Sequence, residues 1–450
     1  MSRQFIPTEL GTEKIGKLLR QYAVPAIIAM TAASLYNMVD SIFIGQGVGA
    51  MAISGLAVTF PFMNIAAAFG TLVGIGASTL VSVKLGQKDY AAAQKVLGNV
   101  FILNILIGIL FTAVSLIFMD PVLYFFGASE NTIGYAREYM EIILYGNVIT
   151  HLYFGLNNVL RSSGHPGKAM MLTITTVILN TALDPVFIFV FDWGIKGAAI
   201  ATVLSQLVAL AWQMNIFRDR NELLHFHRAI FRPDRRLIRD MLAIGLSPFL
   251  MNAASCFVVI LVNNGMKKYG GDLAIGAFGI VNRLSFMCVM IVMGLNQGMQ
   301  PVAGYNYGAR KIPRVLAALK LTAIFATMVA TAAFLIGELM PGPVARIFTA
   351  DEELIALSVY GLRITVMFFP LIGAQIVIAN FFQSIGMAGK AIILSLIRQV
   401  AVLIPCLLIL PGFFGLTGVW ASLPVSDLVA CLVSTIMIIR QIKNFKTGQL

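Results

Sequence analysis

The stretch "LNTALDPVFIF", Leu179 to Phe189, places an amide at Asn180, a carboxylate at Asp184 and a proline at Pro185 inside an otherwise apolar run. Asn180 and Asp184 are four residues apart, which puts them on one face of a helix. Pro185 has no N–H to donate, so a carbonyl one turn earlier, around Thr181, is freed. A second stretch, "YNMVDSIFIGQ", carries Asn37 and Asp40. The run after Asp184 offers Thr202, with Ala198 one turn before it, and the run ahead of it offers Tyr139 and Asn157. Two carboxylates among amides and hydroxyls suit two kinds of chemistry. Held close, they resist joint ionisation and share a proton. Alternatively, their oxygens form a set of hard ligands for a small cation. An intramembrane carboxylate costs roughly 2.5 to 3.5 kcal/mol on insertion scales, so it usually faces a wet cavity and has a task.

Plainer readings stand beside these. The Asp184–Pro185 pair can simply end a helix near an outer loop, and Asp40 can be an interfacial acid beside "GQGVGA". Glu141, one turn into its run, reads as interfacial, Asp427 is balanced between the two readings, and the lone His151 reads as a packed or hydrogen-bonded core residue. The second half of the chain has a different polar set: Arg283 and Arg398, with Asn282, Gln297, Gln300 and Gln399. Here the positions matching Asp40 and Asp184 are Asn263 and Cys406. Both arginines can snorkel or form structural pairs. Met287, Met290, Met293 and Met299 cluster on one run and suit either core packing or an adaptable binding surface.

The elements that must position these groups are membrane spans. The chain of 450 residues is 58% hydrophobic and 12% charged, too apolar for a soluble protein of this length. The continuous apolar runs exclude an alternating β-barrel pattern and predict an all-α polytopic bundle. Twelve spans are expected, at 17–44, 53–83, 93–119, 134–160, 169–191, 195–217, 237–266, 274–304, 315–339, 355–383, 390–411 and 416–440. An even number puts both termini on one side. With the termini inside, 24 of the 32 Lys and Arg lie in or beside inner loops, as the positive-inside rule requires. Arg137, Lys196, Lys267, Lys268, Arg346 and Arg363 fall at the outer face. The net charge of +12 is therefore spread over loops and does not form a nucleic-acid stripe. The N-terminus has no small-residue cleavage site and does not read as a cleaved signal peptide. Cys256, Cys288, Cys406 and Cys431 lie in spans at no metal-ligand spacing. No HExxH, GxSxG or paired Cys/His set occurs at useful depth, which argues against an enzyme.

The chain repeats itself. "AISGLAV" at Ala52 matches "AIGAFGI" at Ala274, and "KLGQKDYAAAQKV" at Lys84 matches "NYGARKIPRVLAA" at Asn306. "SSGHPGKAMML" at Ser162 matches "QSIGMAGKAII" at Gln383, and "WGIKGAAIATVLS" at Trp193 matches "FGLTGVWASLPVS" at Phe414. The offset stays near 222. Six spans per half make the repeats parallel, which predicts two lobes about an axis along the membrane normal with a cavity between them. The expected division is a first lobe 1–217, an inner loop 218–236 and a second lobe 237–450. Small residues Ala66, Gly70, Gly74 and Ser78 recur every four positions on span 2 and suit close helix packing.

"YNMVDSIFIGQ", "GASTLVSVKLGQKD", "LRSSGHPGKAMM" and "LNTALDPVFIF" together resemble the motifs of the multidrug and toxic compound extrusion (MATE) family over roughly residues 15–440, within its DinF-like and MepA-like branch. The resemblance implies two six-helix lobes forming a V and cation-coupled export of amphipathic, often cationic compounds by an antiporter. It places the coupling carboxylates at Asp40 and Asp184 and the polar network at Tyr139, Asn157, Asn180 and Thr202, with Ala198 giving a backbone oxygen. Asp40, Asn180, Asp184, Ala198 and Thr202 form the candidate sodium site. Asn37, Arg283, Met287, Arg398 and Gln399 are the candidate substrate-cavity residues. The NorM-like branch keeps acids on spans 7 and 10, which this sequence lacks. The expected coupling ion is a proton, sodium or both, with no other cofactor. The expected protein is a monomer in the cytoplasmic membrane with cytoplasmic termini. The alternative is a flippase for a lipid-linked precursor, which would need many cations to hold a diphosphate.

Overall fold

The computed structural model describes residues 6–447, with the side chains of residues 37, 38 and 50 outside the description. Among the described residues eight helices are long and apolar enough to cross a bilayer, nine with the pair Glu352–Val366 and Phe369–Ser384, which is bent by 52°. Two of the eight are compound. Arg235–Gly308 breaks at Gly271 (φ 69°), and Ala388–Lys446 breaks at Gly415 (φ 55°). The pair Ile133–Tyr145 and Asn147–Ser162 completes the twelve; neither half reaches 18 residues alone. We label the spans α1 (Ile15–Gly47), α2 (Ala50–Gly86), α3 (Tyr90–Ile117), α4 (Ile133–Tyr145 with Asn147–Ser162), α5 (Pro166–Pro185 continuing through Val186–Val190) and α6 (Gly194–Arg218). The second half holds α7 (235–270), α8 (272–308), α9 (Ile312–Leu339), α10 (Glu352–Val366 with Phe369–Ser384), α11 (388–414) and α12 (416–446).

Backbone conformation repeats with the sequence offset of 222. Left-handed Lys88 (φ 60°) answers to Arg310 (φ 57°), Gly164 to Gly386, and Gly49 to Gly271. α3 and α9 are both 28 residues long. A non-glycine residue at positive φ is uncommon, so the same tight turn before α3 and before α9 marks one supersecondary unit used twice.

The chain forms two compact units. The first is Met1–Glu13 with Ile28–Phe249; the second is Lys14–Ile27 with Leu250–Leu450. α1 changes unit two residues beyond Pro25. In the first unit α2 packs closely on the second half of α4. A Cβ at Gly74 would lie 3.1 Å from Gly155 Cα, so the small-residue stripe lets these backbones meet. The loop 218–236 is folded onto this unit. Leu223, Leu224 and Ile230 are buried. The Phe226 ring packs on Phe101, Phe217 and Phe231. Gln94 Nε2 donates to Leu223 O at 2.9 Å. Glu222 accepts from His165 (2.7 Å) and Lys168 (3.1 Å) at the start of α5. In the second unit the core gathers Trp420, Phe381, Phe382, Val366 and Val419, among others, with Leu19 from the first turns of α1.

Candidate functional site

The first unit's polar site begins with helix spacing. Asn180 Nδ2 donates to Asp184 Oδ1 at 3.3 Å, one turn along α5, and lies 3.2 Å from Thr202 Oγ1 on α6. Tyr36 Oη of α1 lies 3.1 Å from the same Thr202 Oγ1. Tyr139 of α4 is buried close to Thr202. The Asp40 and Asp184 carboxyls lie next to each other. Two carboxyls this close resist joint ionisation, and a proton shared between them relieves the repulsion. Four spans thus converge on Thr202 and the acid pair.

All of these groups except the half-buried Tyr36 are shut away. Asp184 is fully buried, Asn180 is 1% exposed and Asp40 5%. Tyr139, Ala198 and Thr202 are buried too. Yet three acceptors, Asp40 Oδ1, Asp184 Oδ2 and Asn180 Oδ1, have no hydrogen-bond partner. Buried polar atoms are nearly always satisfied, and an exception asks for a missing ion, water or proton. Other buried polar atoms without partners are scattered, among them His151 Nδ1 and Trp420 Nε1, but these three are oxygens of one cluster. Oxygen is also the donor that a hard cation takes.

Pro185 explains how the site is held. It ends the regular α5, and the helix widens into a π turn over Val186–Val190. Phe191 N bonds Val186 O at 3.0 Å and Trp193 N bonds Phe187 O at 3.0 Å. Such turns mark functional positions in helices. Two glycines let neighbouring spans press on this turn. A Cβ at Gly47 of α1 would sit 2.3 Å from Ile188, and one at Gly197 of α6 would sit 2.9 Å from the Phe187 carbonyl. The carboxylate of α5 is therefore clamped between α1 and α6.

Not every expected group joins the cluster. Asn157 is buried but donates to Ala169 O at 3.1 Å, and its Oδ1 faces Arg161 at 3.5 Å; it has no recorded bond to either carboxylate. The side chain of Asn37 lies outside the described ones. Tyr36 was not singled out from sequence. Its signal was there: it precedes Asp40 by four residues, the spacing that paired Asn180 with Asp184. His151 is a buried core residue with Nε2 2.9 Å from Ala66 O.

The second unit is organised differently. Arg398 Nε donates to Asp427 Oδ1 at 2.6 Å, joining α11 to α12. Gln399 Nε2 and Ser255 Oγ are 2.9 Å apart, tying α11 to α7. Arg283 is exposed and stands over the Phe348 ring at 5.5 Å. Met287 is 63% exposed. Among the described residues no group of three or more His, Cys, Asp or Glu side chains suits a metal ion.

Twelve spans in two parallel repeats, with a buried acid pair in the first, define a polytopic membrane transporter. The MatE family profile matches residues 25–186 and 243–408, and the chain belongs to that family. It is therefore a transporter and not an enzyme. Over 425 residues it is 28% identical to the multidrug export protein MepA of Staphylococcus aureus (strain NCTC 8325 / PS 47), covering 94% of this chain and 93% of that one. A solved outward-facing multidrug resistance MATE transporter of the MOP superfamily is similar at a TM-score of 0.93 and 25% identity, with 99% of each chain covered. A MOP superfamily transporter from Pyrococcus furiosus Vc1, described as having a binding pocket of reversed polarity, is similar at 0.92 and 25%, again over 99% of each chain.

Proposed function

We propose that this protein exports amphipathic, often cationic compounds in exchange for an inward cation, and that Asp40 and Asp184 form the coupling site. One observation carries the reading: two buried carboxyls in contact, with three unpartnered oxygens around them. A proton satisfies such a pair by bridging it. Sodium satisfies it by taking Asp40, Asp184 and Asn180 oxygens, with Thr202 Oγ1 beside Asn180 and the Ala198 carbonyl as the further oxygen that the family resemblance implies. Binding of either ion neutralises charge that is costly to bury. The MepA relative, a multidrug export protein by name, supports the substrate class.

Alternating access supplies the exchange. The cation enters from outside and neutralises the pair. α1 then bends near Pro25, where a helix lacks one hydrogen bond. The change of unit at Ile27–Ile28 supports this, because a bend there alters one unit's share of α1 and leaves the other's in place. Affinity for the bound compound falls and it leaves outward. The basic loop 218–236 and both termini face the cytoplasm, and the protein works as a monomer. The test is flux. Purified protein in proteoliposomes should move protons or sodium in one direction when a fluorescent amphiphilic cation moves in the other. Dye movement indifferent to both ion gradients would overturn the proposal.

A further inference from the structure

The Arg398–Asp427 pair lies outside the coupling site, and its geometry is lopsided. Asp427 is 6% exposed and Arg398 29%. The acid holds the guanidinium through Nε alone. A guanidinium has five N–H donors in a planar fork, and among the described residues the four at Nη1 and Nη2 carry no recorded partner. An ion pair built only for stability tends to use the bidentate arrangement and to satisfy its donors. Here the acid takes one edge and leaves the end-on fork open.

The surroundings hold that fork in place. Arg398 is the second residue of a π turn, Ile397–Leu403, in the middle of α11. The next residue, Gln399, is tied to Ser255 of α7. Asp427 follows Pro424 on α12 and is buried. Two neighbouring spans thus fix the residue from two sides while the guanidinium end stays accessible. Depth identifies what reaches it. Arg398 lies ten residues after Ala388, where α11 begins, a rise of roughly 15 Å. That is about half of the roughly 30 Å hydrocarbon core. With α11 entering the bilayer at Ala388, the fork lies below the headgroups, and a solute is the ligand assigned to it.

We propose that Arg398 is an anion-recognising group of the second unit, taking the carboxylate of zwitterionic amphiphiles on its Nη edge while Asp427 orients it through Nε. This rests on the export reading and extends it to substrates that carry an acid as well as a cation. Paired with ionised Asp427 the site is neutral and accepts a carboxylate weakly; when Asp427 takes up a proton the guanidinium is uncompensated and binds it strongly. Arg suits this role where Lys does not, because two parallel N–H bonds match the two carboxylate oxygens.

The experiment uses the full-length protein in phosphatidylcholine nanodiscs and two dyes differing in one group, rhodamine B with its free carboxylate and rhodamine B ethyl ester. Fluorescence anisotropy gives the two Kd values, and their ratio is the readout. Arg398→Gln is expected to shift the ratio against the free acid by roughly 10- to 100-fold, the range of a charge-assisted pair. Arg398→Lys keeps a cation for Asp427, so it guards against misfolding; it should shift the ratio in the same direction by about tenfold. Asp427→Asn keeps an acceptor for Nε, removes the charge and should shift the ratio towards the acid. If all three variants change both dyes alike, Arg398 and Asp427 are a structural pair and the inference fails while the export reading stands. If the wild-type protein binds neither dye, the export reading fails and this inference with it.

Discussion

Asp184→Asn is the sharpest test of the coupling site. Asp184 is fully buried and its Oδ1 accepts from Asn180 Nδ2 at 3.3 Å. An amide keeps that acceptor, and its NH2 can donate to Asp40, so folding should change by no more than about 1 kcal/mol. What disappears is titration. One net charge moving inward across 100 mV supplies roughly 2.3 kcal/mol. At about 1.36 kcal/mol per tenfold, that sustains a dye ratio of roughly 50 for one charge per compound exported. Proteoliposomes holding a zwitterionic fluorescent amphiphile of zero net charge, so that one cation in per compound out moves one net charge, with a clamped potential of about 100 mV, should approach that ratio with the wild-type protein. Asp184→Asn should leave it near 1, with a normal gel-filtration profile, and Asp40→Asn should do the same. Wild-type ratios in both variants would refute the reasoning, because a pair that no longer titrates or ligates as proposed would still be coupling.

Asn180→Ala removes the unpartnered Oδ1 and leaves both carboxyls, so sodium-driven export should fall by about tenfold while proton-driven export persists, read as transport under each gradient separately. Asn221→Cys, at an exposed loop position, should resist an impermeant thiol reagent added outside intact cells; ready labelling would reverse the orientation. Gly98→Ala should loosen the docked loop, since a Cβ there would lie 2.1 Å from Ile230 O. The cost should be about 1 to 3 kcal/mol, seen as a lower Tm in detergent, and an unchanged Tm would show that the loop yields freely.

Hydrophobic runs and motif offsets carried most of the architecture. The expected spans 17–44 and 195–217 fall within Ile15–Gly47 and Gly194–Arg218, because long apolar stretches have few alternatives in a bilayer. The site was legible where local spacing governs it, as for Asn180 and Asp184. It was not legible where tertiary packing decides. Asn157 lies on an expected span yet turns to Ala169, and Arg398 meets Asp427 across 29 residues of chain with no periodic rule to link them. The loop 218–236 read as a plain connector because its charges dominate; the burial of Leu224 and Ile230 depends on partners from α3 and α6 that no local pattern reveals.

The split of α1 between the units bears on how the protein is made. Residues 14–27 leave the ribosome long before Leu250–Leu450, yet they belong with that segment. A Cβ at Gly298 would lie 2.5 Å from Ala23 Cα, so these two backbones meet although 275 residues of chain separate them. At about 5 to 20 residues per second, synthesis of that interval takes roughly 15 to 55 s. Through that time the leading turns of α1 sit in the bilayer without their partners, and the early chain waits for the late chain. The two repeats are tandem in sequence, but they are not successive folding units: biogenesis of the first half closes only when the second half has been inserted.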